Sequence, residues 1–153
     1  MTDTLERPSC LSIIISDAVY RDEITKKLII VGTFNTIHAQ HFPHRHDHMN
    51  VLFSLTSGRR TYDVALGIEN GASGASITEI HGPMRLDNPL HITDVNVELR
   101  RLEFPEPGKY WVTLKVDGEI ICQRPFMVAG PGSTPETPPQ QLGEEEGSPP
   151  DAH

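Results

Sequence analysis

Long apolar runs are absent. No stretch of 18 or more apolar residues occurs in the 153 residues, so no bilayer-spanning helix is encoded. A secretory leader is missing too. Acidic Asp3 and Glu6 come first, and the run Leu11 to Ile15 is broken by Ser12. That run reads as a strand, and the chain as cytoplasmic. Positive charge is scarce: 13 Lys and Arg against 21 Asp and Glu leave a net charge of -8, which argues against nucleic acid as a partner. Only two cysteines occur, Cys10 and Cys122, at no metal or redox spacing. They read as reduced thiols, with a bridge between the first and last strands as the alternative. Catalytic motifs are missing as well. There is no His-Glu-x-x-His, no P-loop and no Gly-x-Gly-x-x-Gly. Gly71-Ala72-Ser73-Gly74-Ala75 ends in Ala where a nucleophile elbow needs Gly, and it lacks the strand-then-helix context. Asp17, Asp22 and Glu23 make an acidic turn without the Asp-x-Asp-x-Asp-Gly pattern of a calcium loop. These absences point to a protein that is not an enzyme.

What is present divides into a body and a tail. From Gly130 onward the chain has six Pro, four Glu and one Asp, no Lys or Arg, and Leu142 as its only large aliphatic residue. Such a segment buries too little apolar surface to offset its ordering entropy, so residues 131–153 read as a disordered tail and residues 1–130 as one domain.

The body alternates with period 2 and offers no capped amphipathic helix. Leu11, Ile13 and Ile15 share a face of a first strand. Leu28, Ile30, Gly32 and Phe34 share a face of a second. Ile29 and Val31 on its other face predict a central strand covered on both sides. Val51 to Leu55, Tyr62 to Ile68, Ile77 to Ile80 and Val95 to Leu99 mark four more. The last of these slips in register to Leu102 and Phe104, which predicts a bulge near Arg100–Arg101. Tyr110, Val112, Leu114 and Val116 alternate inward, Asp117-Gly118 supplies a type I′ turn, and Ile121 to Val128 returns. About eight antiparallel strands predict an all-β sandwich, immunoglobulin-like or C2-like.

Two resemblances bear on this. Glu106-Pro107-Gly108-Lys109-Tyr110 resembles the Asp-x-Gly-x-Tyr of immunoglobulin-like folds, which implies that the Tyr110 hydroxyl bonds back to the chain at a corner. The family cysteine is replaced by Val112, so the segment departs from antibody-type domains. More widely, Ser12-Ile13-Ile14-Ile15-Ser16-Asp17, Lys27 to Phe34, Phe42-Pro43 and Arg124-Pro125-Phe126-Met127-Val128 are similar to a family of uncharacterised bacterial proteins, over residues 11 to 128. The resemblance implies a sandwich and a bacterial cytosolic context, and no activity. Where that family often has apolar or proline residues after Phe-Pro, this chain has histidines.

Five of eight histidines fall between His38 and His48. Neutral imidazole is the commonest metal ligand, and zinc takes four N, O or S donors. On a strand His44, His46 and His48 point to one face, which makes them the candidate metal ligands, with zinc or another divalent ion as the cofactor. The first and third of them start roughly 13 Å apart, so one His-x-His pair needs a third ligand from His38, His41, Asp47, His81 or His91. Residues 49–55 hold no glutamate, so the cupin pattern fails. The competing expectations are a pH-responsive patch and a polar solvated connection. Trp111 lies opposite Tyr110 and Val112 on its strand and is the candidate partner-binding residue. The leading expectation is therefore a non-catalytic sandwich that works through protein binding or self-assembly. The alternatives are a histidine-centred metal protein or metal-dependent enzyme at His44 and His46, and a carbohydrate-binding module. The last is weakened because nine aromatic residues form no visible row.

Overall fold

The computed structural model describes residues 7–133 and 137–143. Nine strands follow in chain order: β1 (Ser9–Arg21), β2 (Leu28–Thr33), β3 (Thr36–His38), β4 (His44–Thr56), β5 (Thr61–Asn70), β6 (Ser76–Arg85), β7 (Thr93–Phe104), β8 (Gly108–Val116) and β9 (Glu119–Ala129). There is no helix among the described residues. The eight expected strands all form. The ninth, β3, is three residues long and pairs parallel to β9. Nothing in so short a segment announces a strand, because its ladder is supplied by β9. The described residues beyond Ala129 carry no strand, and residues 134–136 and 144–153 of the expected tail lie outside the described residues.

Two sheets result, ordered β2-β1-β4-β7 and β3-β9-β8-β5-β6. Alternation sends one face of each strand between them. Ile13 and Ile15 on β1, and Met49, Val51, Phe53 and Leu55 on β4, meet Tyr62, Val64, Leu66 and Ile68 on β5 and Tyr110, Val112, Leu114 and Val116 on β8 in one buried core. Phe104 of β7 crosses the gap edge-on to Tyr110, ring centres 5.0 Å apart, and Phe126 stacks on Tyr110 at 5.9 Å. The Tyr110 hydroxyl donates to the Glu106 carbonyl oxygen at 2.6 Å. This is the immunoglobulin-like corner that the five-residue resemblance implies. The β8–β9 hairpin turns through Asp117 and Gly118, at φ 50° and 82°, as a type I′ pair requires.

Two expectations are corrected. Leu11 does not share the Ile13 face: the β1–β4 register shifts between Cys10 and Ser12, and Leu11, the extra residue, is 53% exposed. The bulge inverts the alternation, so Cys10 takes the inward position opposite the buried Leu55. Strand β2 is not central. It pairs only with β1 at the sheet edge, and Ile29 and Val31 are 46% and 47% exposed. Among the described residues no layer lies over its second apolar face.

Candidate functional site

His44 to His48 form the start of β4, whereas residues 39–43, with exposed His41, are a connection between β3 and β4. The pairing of β4 with β7 runs His44–Phe104, His46–Leu102, His48–Arg100 and Met49–Leu99. Phe104, Leu102 and Leu99 are buried, whereas Arg100 and Arg101 are both exposed. Two exposed residues in a row break the alternation. Arg101 takes a left-handed φ of 55°, so the bulge expected near Arg100–Arg101 is a change of face without loss of register. Cross-strand partners share a face. His44 and His46 therefore turn toward the inner side, with Leu102 and Phe104, and His48 turns outward.

The expectation that His44, His46 and His48 share one face is thus corrected. His48 Nε2 sits 2.8 Å from Glu98 Oε1. That contact, with Arg100 beside it, holds the Glu98 carboxyl below the usual carboxylate range. Among the described residues no three His, Cys, Asp or Glu come together as a cation-binding set.

His44 and His46 instead line one wall of a cleft of about 340 Å³, with Asp17, Thr33, Phe34 and His38 around it. The His46 ring stands 5.9 Å from the Phe34 ring and 6.2 Å from His44, centre to centre. Burial, and secondarily the charge of His44, push the His46 imidazole below its ordinary value, while Asp17 and Asp47 oppose them. The ring is therefore neutral at neutral pH. Its Nε2 is buried and has no hydrogen-bond partner among the described residues. An unpaired buried nitrogen costs free energy unless an occupant satisfies it. The cleft thus offers one neutral imidazole nitrogen beside a phenyl wall. His38, one of the five third partners expected for the pair, joins it from β3, and the parallel β3–β9 pairing is what selects it.

Trp111 lies on the outer face of its sheet, opposite the fully buried Tyr110 and Val112. It is half-buried, and the Lys109 ammonium lies 4.6 Å over its ring. A contiguous apolar row lies elsewhere. On the outer face of the other sheet Tyr20 pairs with Ile29 and Ala18 with Val31, and Tyr20 is 59% exposed. A further opening of about 210 Å³ lies between edge strands β6 and β7, where Ile80, Met84, Val95 and Val97 line the core's open side.

The model of a family of unknown function, DUF6941, matches residues 11–129. No curated protein matches the chain. Among solved structures, the chain is similar to the alkylpurine DNA glycosylase AlkC of Pseudomonas fluorescens, solved bound to DNA containing an abasic site analogue. The identity is 13%, the TM-score 0.51, and the match covers 79% of this chain and 30% of that one. The chain therefore spans less than a third of the glycosylase, and at this identity the likeness concerns the fold alone. An immunoglobulin-like protein from Pseudomonas aeruginosa matches with a TM-score of 0.41 and 9% identity, over 80% of this chain and 97% of that one.

Proposed function

We propose that this chain, which belongs to DUF6941, a family of unknown function, is a non-catalytic binding module that associates with a second copy of itself through strand β2. One observation carries the reading: β2 is an unguarded sheet edge. Natural edge strands are blunted by charge, proline, bulges or shortness. β3 has three residues, β6 contains Pro83, and β7 carries Glu98, Arg100, Arg101 and Glu103 and kinks at Arg101. Leu28–Thr33 has no charged residue and no proline. Its outer face continues into the apolar row of Tyr20, Ile29 and Val31.

A second copy is the occupant that fits. Antiparallel β2–β2 pairing about a two-fold axis extends the sheet and sets each apolar row against its own image. It also brings the Lys26–Lys27 end of one copy toward the Gly32–Thr33 end of the other, where the Asp17 carboxylate lies against Gly32. Opposite charges then meet at both ends of the pairing.

Sedimentation across concentration tests this. Wild type is expected to dimerise, and Ile29→Lys to weaken the dimer roughly tenfold or more while melting at an unchanged temperature. A wild type that stays monomeric at every concentration, or an Ile29→Lys dimer as tight as wild type, overturns the reading.

A second reading rests on the unpaired His46 Nε2, with a divalent ion or small hydrogen-bonding molecule in the cleft. With two convergent imidazoles, zinc binding is expected to be micromolar and to wash out on dialysis against chelator. One equivalent of zinc retained after that dialysis, and lost in the His44→Ala, His46→Ala double variant, favours the second reading over the first.

A further inference from the structure

The chain's two cysteines stand near opposite ends of the folded body in sequence, Cys10 on β1 and Cys122 on β9, in different sheets. They meet in space. The Leu11 bulge turns Cys10 inward beside Leu55, and the inward alternation of Phe126 and Val128 on β9 brings Cys122 to the same side, opposite the buried Leu114. Both thiols pack partly buried against the core, Cys10 Sγ donates to the Ser12 carbonyl oxygen at 3.5 Å, and Cys122 is its neighbouring titratable group. The seam between their strands is tied again at the next inward position of β9, where Arg124 Nη1 donates to the Ile13 carbonyl oxygen at 2.7 Å.

We infer that Cys10 and Cys122 form an oxidative modification site: exchange with a low-molecular-weight disulfide converts them into an intramolecular disulfide that staples the first strand of one sheet to the last strand of the other. This does not rest on the β2 reading, since neither cysteine lies on that edge.

The order of events follows from proton affinity. Burial, then the neighbouring Cys122 thiol, push Cys10 up to about 12, so Cys10 holds its proton at neutral pH. Cys122 therefore reacts first. Its thiol gives a proton to solvent, the thiolate attacks one sulfur of the small disulfide, and one small thiolate leaves. Cys10 then gives its proton to solvent and attacks Cys122 Sγ, and the second small thiolate leaves. Both leaving groups are reprotonated. Two protein thiols are oxidised, one small disulfide is reduced to two small thiols, and nothing else is consumed. A desolvated resolving thiol makes the second step slow, which suits a latent staple better than a catalytic dithiol. The oxidised chain closes a loop on the order of 100 residues, the class in which a cross-link restricts the unfolded chain most.

The test uses the full chain, reduced, then held with oxidised glutathione in one arm and refolded from denaturant in a glutathione redox buffer in the other. In both arms the monomer is expected to lose the mass of two hydrogen atoms and both titratable thiols. Its melting temperature is expected to rise by roughly 10 °C, and dithiothreitol is expected to reverse all three changes. Cys10→Ser is expected to stop at the mixed disulfide of Cys122 with glutathione, and Cys122→Ser to leave Cys10 largely unmodified in the folded protein. Two free thiols after both arms, glutathione adducts without loss of hydrogen in wild type, or disulfide-linked dimers in place of the internal bridge each overturn the inference.

Discussion

His46 and His48 lie two residues apart on β4 yet stand on opposite faces of their sheet: His46 beside the Phe34 ring in the cleft, and His48 on the outer surface, 2.8 Å from Glu98. The β4–β7 pair changes face between them, around Asp47 and Arg101, while keeping its register. One side chain is desolvated and the other is partly solvated and in hydrogen-bond contact with Glu98. The same residue type in one short run thus takes on two unrelated roles.

The depressed proton affinity of His46 makes it an acid-labile position. In the unfolded chain the imidazole takes up a proton near pH 6.5, whereas in the folded protein it does so only at lower pH. The unfolded state therefore binds more protons in that window, and stability contributed above about pH 6.5 is lost as pH falls through the folded value. Urea melts at pH 7.5 and 5.5 are expected to show a smaller acid loss for His46→Gln than for wild type. Equal losses would remove His46 from the account.

Tyr110→Phe deletes the hydroxyl that reaches Glu106 from a fully buried ring. The expected cost is about 1–2 kcal/mol, from the lost bond and the Glu106 carbonyl left without it. Denaturant titration at constant slope measures this.

Arg124 spans the sheets with two bonds, Nη1 to the Ile13 carbonyl and Nη2 to Asn35 Oδ1 at 2.8 Å. Arg124→Met keeps most of the side-chain volume and removes both bonds. A loss of about 2 kcal/mol is expected, in the range for hydrogen bonds from a charged donor. Faster amide exchange at β1 and β3, with β5 unaffected, distinguishes a loosened seam from a general destabilisation.

Trp111 is covered by Lys109 rather than left bare. Trp111→Ala is expected to leave the association constant unchanged and to lower stability by about 1 kcal/mol. Sedimentation and thermal melts of the same preparation read both quantities. A weakened dimer would move the interface from β2 to the Trp111 face.

Removing residues 131–153 is expected to leave the melting temperature within a few degrees, because their composition supplies almost no apolar surface to the fold. A large drop would mean that this segment docks on the body.

The sequence by itself determined eight of the nine strands and, within most of them, which residues face inward. Period-2 alternation is a local property of the extended backbone, and Tyr110 through Val116 express it without interruption. The Asp117-Gly118 turn and the Tyr110 corner were legible for the same reason, being set by residues within a few positions of each other. Tertiary structure decided the rest. Strand order is a non-local choice, so two apolar faces on β2 did not reveal that it is an edge. A single extra residue at Leu11 reverses the parity of everything before it, which brought Cys10 to Cys122. A kink at Arg101 on one strand reoriented histidines on its neighbour, because paired strands bend together. Alternation assigns a face only between such irregularities, and whether one is adopted depends on the packing of both strands at once.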